Sequence, residues 1–554
     1  MPVVAVKLWD LARLVGTELS MDVLEDLFVK LKLEVSKIEL DEVMYEAPHD
    51  RLDLYSAEGL ARAIAYQVGL RAPRKFKFFK GGLYVDASSA PSYRPYVFMT
   101  IVRGVKLDDE AISQLFQLQE KLHLTHCGNR ELVSIGLYDL DTVSFPVYYR
   151  EVPDVAFVPL GSSEIMSVKE ILEKTEKGRE YGNLVKEGHY PLLVDSQGKV
   201  LSLPPIINSE ETKVTERTKN VLIDVTGTEP YLMVSILAVM TTSVYERGAS
   251  EIEIVRVVGR NNFTEEVVER TLSGKYITVS LGRITNLIGL EVPAGGVPEF
   301  LRGHGYVVEQ VESGVGLFKV WVPPYRVDVI DEDDLVEDIA ISLDYNKISG
   351  KIEPPTHRGL LHQIEVISRN LRDILVGLGF TEVVNFILTD PDYLTRLGFS
   401  SFIEVKNPKM RIYSALRPAL LPEILKSVSK NVKKYGLQSL KIFEVGDIID
   451  PKTAGTRRNV AGAIYGPGTT LTDGLAATRT LLELLGLKPV FKPAENDVLF
   501  IRERSSTIEV SGVALGLVGE VHPKHLKQME LSFPLTLFEI SVDVIAKQVQ
   551  ELKR

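Results

Sequence analysis

The chain has 554 residues, of which 25% are charged and 45% hydrophobic, and its formal net charge is −11 at neutral pH. That length predicts about three to four domains with ordinary globular cores. It excludes a disordered, collagenous or disulfide-rich secreted chain, and the negative field excludes a generic cationic coat for nucleic acid.

The opening MPVVAVKLWD lacks a cationic region followed by an apolar run, so no signal peptide is expected and a cytoplasmic location is. A strand over VVAVKL leads to a helix starting near Ser20, with Val23, Leu24, Leu27, Phe28 and Leu31 at helical period. A strand-like LEVSKIEL and the stretch APHDRLDLYSAEGLARAIAYQVGL complete a first module over residues 1–75. A basic–aromatic junction follows: Arg71, Arg74, Lys75, Lys77 and Lys80 interleave with Phe76, Phe78 and Phe79. Such a segment fits either RNA contact or a linker strand with solvated lysines.

Residues 83–262 read as one α+β domain, with strands over YVFMTIVRGV, ELVSIGLYDL and SEIEIVRVV. The apolar run YLMVSILAVM after Pro230 is too short to span a bilayer and predicts a buried helix. Asp224, Thr226 and Thr228 alternate on one side of a strand, which suits either a pocket lining or the solvent face of an edge strand.

Residues 270–350 repeat the first module. SLGRITNLIGLEV echoes VKLWDLARLVGTEL, with Gly289 matching Gly16. VPPYRVDVIDEDDLVEDIAISLDY echoes APHDRLDLYSAEGLARAIAYQV, with Arg326-x-Asp328 matching Arg51-x-Asp53. Residues 354–554 alternate helices with apolar strands, which predicts a large antiparallel sheet with packed helices.

The repeat isolates a group of acids. Asp334, Glu337 and Asp338 share one helix face in the second copy, opposite Leu335, Val336 and Ile339. The first copy has Gly59, Arg62 and Ala63 there, so the fold does without these acids. With Asp328 they suit a hard divalent cation such as Mg²⁺, or a solvated acidic face at a helix start. The single cysteine, Cys127, allows neither an internal disulfide nor a Cys-cluster metal site. His123-x-x-His126 and His522-Pro-Lys-His525 lack further ligands at metal spacing, and no P-loop, dinucleotide fingerprint or nucleophile elbow is present.

Together these segments resemble the beta subunits of archaeal-type phenylalanine–tRNA ligases over nearly the whole chain. The strongest motif is VPPYRVDVIDEDDLVEDIAISLDYNKI. HDRLDLYSAEGLARAIA, IGLYDLD, PPIINSEETKV, IDVTGTE, NPKMRIYSALRPALLPEILKSVSKN and KIFEVGDII add to it. His49-Asp50 and Leu52 replace the Asn and Pro usual in the family's motif. The resemblance implies a multidomain α+β chain in which duplicated modules flank an editing domain, followed by a class II synthetase-like antiparallel sheet without its own active site. It implies an (αβ)₂ heterotetramer with an alpha subunit that uses ATP, phenylalanine tRNA as partner, and no membrane. It places Mg²⁺ on Asp328, Asp334, Glu337 and Asp338, against the alpha subunit. It places an editing site on Asp224, with Thr226 beside it and with Ser202, Asn208 and Glu210 lining the pocket or placing water.

Editing has a physical reason. A hydrophobic pocket discriminates weakly against an isostere that merely adds a hydroxyl, and a second, polar site can read that hydroxyl. A non-catalytic RNA-binding paralogue and a magnesium phosphohydrolase are the alternatives. The first is disfavoured by Asp224 and Thr226, the second by the lack of a phosphate-binding loop.

Overall fold

The computed structural model describes residues 1–39, 41–259, 265–312, 316–350, 352, 354–494 and 498–552. The expected domain ends at 262 and 554, and the last residue of LEVSKIEL, lie outside these residues. The chain divides into two units, residues 1–351 and 352–554.

In the first module, strands Val3–Lys7, Glu42–Glu46 and Glu34–Ile38 form an antiparallel sheet in that order. Val4, Val6, Val43 and Tyr45 alternate onto its buried face, as a period of two requires. Helices Leu8–Val15, Met21–Lys30 and Ala57–Gln67 pack with it. The second copy has strands Lys275–Ser280, Leu317–Val322 and Val307–Glu312 in the same spatial order. Its helices are Leu281–Ile288, Val297–Gly303 and Glu332–Leu343. The matched glycines have one job. Gly16 (φ 96°) and Gly289 (φ 77°) close the first helix of each copy in the left-handed region, where a side chain would meet open space but strained backbone.

The two copies pack against each other, and equivalent positions meet through different chemistry on the two sides. Lys32 bonds Asp50 of its own copy (2.8 Å) and Glu337 of the other (3.1 Å). In the repeat, Asp50 corresponds to Tyr325 and Glu337 to Arg62, and the Arg62 guanidinium lies 3.6 Å over the Tyr325 ring. The basic–aromatic segment seals this joint. Phe76 is buried edge-on to Tyr245 and Tyr325, Arg74 stacks on Tyr245, and Arg71 bonds Glu246.

Between the copies lies a nine-stranded mixed sheet. Its order is Ile207–Asn208, Val200–Leu203, Tyr190–Val194, Val147–Val152, Phe78–Ser89, Glu251–Val258, Tyr96–Arg103, Asn220–Gly227 and Val133–Asp139. Helix Pro230–Tyr245 packs on the sheet, and every residue from Ile236 through Val244 is buried, as its apolar run predicts. Strand Asn220–Gly227 lies inside the sheet, and 221–227 are buried, so it has no solvent face of the edge-strand kind. Among the described residues no helix is long and apolar enough to cross a membrane.

A buried arginine joins this domain to the first module. Arg247 donates to both oxygens of Asp10 (2.8 and 2.9 Å) and to Glu58 (2.6 Å). Asp10 and Glu58 are fully out of solvent.

The second unit is built on a seven-stranded sheet. Its order is Thr381–Glu382, Leu440–Ile449, Thr456–Tyr465, Leu535–Ser541, Val513–Val521, Phe500–Val510 and Val490–Pro493. All pairings are antiparallel except the first. Helices Gln363–Gly377, Leu421–Tyr435, Leu471–Glu483 and Val542–Leu552 accompany it. Strand Leu535–Ser541 passes directly into the last helix at Val542.

Removing one partner of a buried ion pair leaves an uncompensated charge. Arg247→Ala is therefore expected to destabilise the first unit by about 3–5 kcal/mol. Adding Asp10→Asn and Glu58→Gln should recover part of the loss. Urea unfolding of the three proteins checks both expectations.

Candidate functional site

The site starts from one strand register. Asp224 pairs across from Gly136, and Thr226 from Ser134. Tyr138 lies two residues beyond Gly136, hence on the same face, and diagonal partners of this kind are within reach of a long side chain. Its ring crosses the bare glycine, and its hydroxyl donates to Asp224 Oδ1 at 2.6 Å. A Cβ on Gly136 would stand 2.1 Å from that oxygen and 2.2 Å from the Tyr138 hydroxyl.

The sheet then curls until its ends meet. Ser202, from the far side of the sheet order, lies 2.8 Å from the Tyr138 hydroxyl. Asn208 Nδ2 donates to the Leu137 carbonyl (3.4 Å). Arg130 donates to the carbonyls of Pro205 and Ile206 (3.2 and 3.0 Å) and to Glu120 (2.6 Å). Asn129 and Arg130 have positive φ, 53° and 69°, a backbone conformation uncommon for such residues. This turn delivers the guanidinium to the seam.

The seam encloses a cavity of about 200 Å³. Asp224, Tyr138, Ser202 and Asn208 line it together with Arg130 and Pro204-Pro205. Thr226 stands outside the lining: its hydroxyl meets Ser134 (2.9 Å) and accepts from Arg94 Nε (3.2 Å). Glu210 is also outside the lining, where it accepts from the Gly161 amide and pairs with Lys213. Of the five residues expected here, the structure thus brings three to the cavity.

Burial pushes the Asp224 carboxyl up to about 7, against the opposing pull of the Tyr138 hydrogen bond and the Arg94 charge. The group therefore changes charge near neutrality, inside a cavity that a small ring could enter. Covalent nucleophiles are poorly placed. Burial pushes the Cys127 thiol up to about 12. Burial also drives His123 down to about 4, and its Nε2 is already spent on the Ile135 amide (2.9 Å). Gly136, Tyr138, Arg94 and Arg130 do not stand out in the sequence. SIGLYDL carries a same-face Gly-x-Tyr, but only the register with Asp224 gives it meaning.

Of the four acids of the second module, Asp328 and Asp338 meet on one guanidinium nitrogen, and Asp334 and Glu337 have other partners. Arg326 grips Asp328 (2.9 and 2.7 Å) as Arg51 grips Asp53 (2.9 and 3.0 Å). Asp334 caps its helix by accepting from the Ile330 and Asp331 amides (2.6 and 3.0 Å). Glu337 pairs with Lys32. Asp338 is 2% exposed, contrary to the helix pattern, which puts it on the face away from the core. It accepts from Tyr306 (2.5 Å) and Arg326 (2.8 Å). Among the described residues no group of three or more His, Cys, Asp or Glu could hold a metal ion. As folded, these carboxylates are held by an arginine, backbone amides and a lysine.

Comparison with known proteins covers nearly the whole chain. Residues 95–250 match the B3/4 domain, 277–345 the tRNA synthetase B5 domain, and 352–542 the phenylalanyl tRNA synthetase beta chain CLM domain. The phenylalanine–tRNA ligase beta subunit of Thermofilum pendens is 40% identical over 99% of this chain and 98% of its own. That of Pyrococcus horikoshii is 37% identical over 98% and 99%. A crystal structure of an N-terminal fragment of the Pyrococcus horikoshii phenylalanyl-tRNA synthetase beta subunit superposes with a TM-score of 0.57 at 38% identity. It covers 62% of this chain and all of the fragment.

A carboxyl raised from 3.8 to about 7 keeps its proton in the folded state after the unfolded chain has lost it. Its contribution to stability is complete below its ordinary value and is lost as pH rises through about 7. Asp224→Asn should remove this slope, worth at most about 1.4 kcal/mol per pH unit. Denaturation of parent and variant from about pH 5 to 8 would show the difference growing to about pH 7 and then levelling.

Proposed function

The chain belongs to the phenylalanine–tRNA ligase beta subunit family, and from that premise we propose that it serves as the non-activating subunit of such a ligase and clears tyrosine from mischarged tRNA. Its partners are an alpha subunit, which uses ATP to attach phenylalanine, and phenylalanine tRNA, in an (αβ)₂ assembly in the cytoplasm. Arg417 supports a non-activating role for residues 354–554. It is buried and spent on Glu444 (2.7 Å) and on the Asp447 carbonyl (2.8 Å).

The buried Asp224 carries the editing reading. Oδ1 is fixed by Tyr138, which leaves Oδ2 for the hydroxyl of a tyrosine side chain. Phenylalanine has no such hydroxyl, so its entry would leave a desolvated acceptor unpaired, at a cost of about 1–3 kcal/mol. Ser202 lines the phenol end beside Tyr138, and Asn208, on the cavity wall, orients the water. That water adds to the ester carbonyl carbon, the bond to the ribose oxygen breaks, and a proton goes to that oxygen. Tyrosine and free tRNA leave. Thr226 acts from behind, holding Arg94 and Ser134 against the strand that bears Asp224. Glu210 holds the loop at Gly161.

In the assembled ligase, Asp224→Ala should slow deacylation of tyrosine-charged tRNA by about 10- to 100-fold, the worth of one hydrogen bond to a charged group. Formation of phenylalanine-charged tRNA should be unchanged. Undiminished clearance of tyrosine by the variant would refute the assignment, and a parent without any clearance would favour the non-catalytic paralogue.

A further inference from the structure

The cavity has a polarity from floor to rim. Asp224, Tyr138 and Ser202 are 1–3% exposed, whereas Phe116 and Leu160 on the same lining are each 37% exposed. Phe116, Gln119 and Glu120 sit at i, i+3 and i+4 of helix Asp109–Leu124, so all three share one face. Two of them pin that face to the site. Gln119 donates to the Ile135 carbonyl (2.8 Å), and Glu120 accepts from Arg130 (2.6 Å). Phe116 is left with its ring at the opening, while Leu115, Leu118 and Leu122 of the same helix are buried.

We propose that Phe116 is a stacking platform for the base of the terminal nucleotide whose ribose carries the amino acid. The inference rests on the editing reading: with the tyrosine hydroxyl on the floor, the ester and its ribose come to the rim, and the base is the next large group. Charge is the rival source of affinity, and the rim supplies little of it. Lys177 lies between Glu120 (3.5 Å) and Glu180 (3.6 Å). Glu120 stays ionised: burial raises its carboxyl, but His123, Arg130 and Lys177 hold it down to about 2. Arg130 is spent on Glu120 and two carbonyls. With the cations matched by carboxylates, a phosphate finds no net positive field there. A ring face remains, and base–aromatic stacking is strong and tolerant of base identity.

The test uses the assembled ligase and two esters of tyrosine, one with the 3′ hydroxyl of adenosine 5′-monophosphate and one with methanol. Phe116→Ala should lower the ratio of kcat/KM for the nucleotide ester to that for the methyl ester by about 10- to 100-fold, mostly through KM. Phe116→Trp should restore the ratio, and raised salt should barely alter it. A ratio unchanged in Phe116→Ala overturns the proposal, because a merely structural role lowers both esters together. Asp224→Ala is the separate arm. It should slow both esters alike, and its failure to slow either would remove the editing reading on which the platform rests.

Discussion

The meeting of the two ends of the nine-stranded sheet is the constraint on which the site depends. An open sheet of this size would present two edges with unpaired backbone groups. Here one end strand offers Tyr138 and the Leu137 carbonyl, and the other end offers Ser202 and Asn208. Arg130 bridges the remaining gap through two carbonyls. Closure makes the cavity, excludes water from its floor and so raises Asp224. Gly136 is the narrow point, because the Tyr138–Asp224 bond occupies the space of its missing side chain.

The duplicated module shows how one motif can keep a structural task in both copies while its neighbours diverge. Arg-x-Asp makes the same bidentate pair twice. Around it the copies differ. Arg62 lies flat on Tyr325, while Glu337, its counterpart, reaches Lys32. Asp338 adds a second carboxylate to Arg326, where the first copy has Ala63. The acids that look like one ligand set in the sequence have three kinds of partner: Arg326 for both Asp328 and Asp338, backbone amides for Asp334, and Lys32 of the other copy for Glu337.

Much of this is legible in the sequence, for definite reasons. The repeat can be read from spaced glycines and Arg-x-Asp, because both are local demands of backbone and ion pairing. The helix after Pro230 announces itself by an apolar run with no polar side. Asp224 and Thr226 stand out as polar residues in an otherwise apolar strand. What cannot be read is non-local. The neighbours of strand Asn220–Gly227, the register that sets Gly136 opposite Asp224, and the curl that brings Ser202 to Tyr138 all depend on chain segments far apart. Helical periodicity also misleads at Asp338: it separates a helix into faces, but gives no sign that a second element, carrying Tyr306 and His304, covers the polar one.

The face-to-face packing of the two repeats has a consequence for biosynthesis. The first copy leaves the ribosome about 275 residues ahead of its counterpart. At ordinary elongation rates that interval is on the order of tens of seconds. Throughout it, Lys32 and Arg62 lack their later partners, and the surface that Tyr325 will cover stands open. Docking of the two copies is therefore a late step of synthesis, and it follows the folding of the first copy.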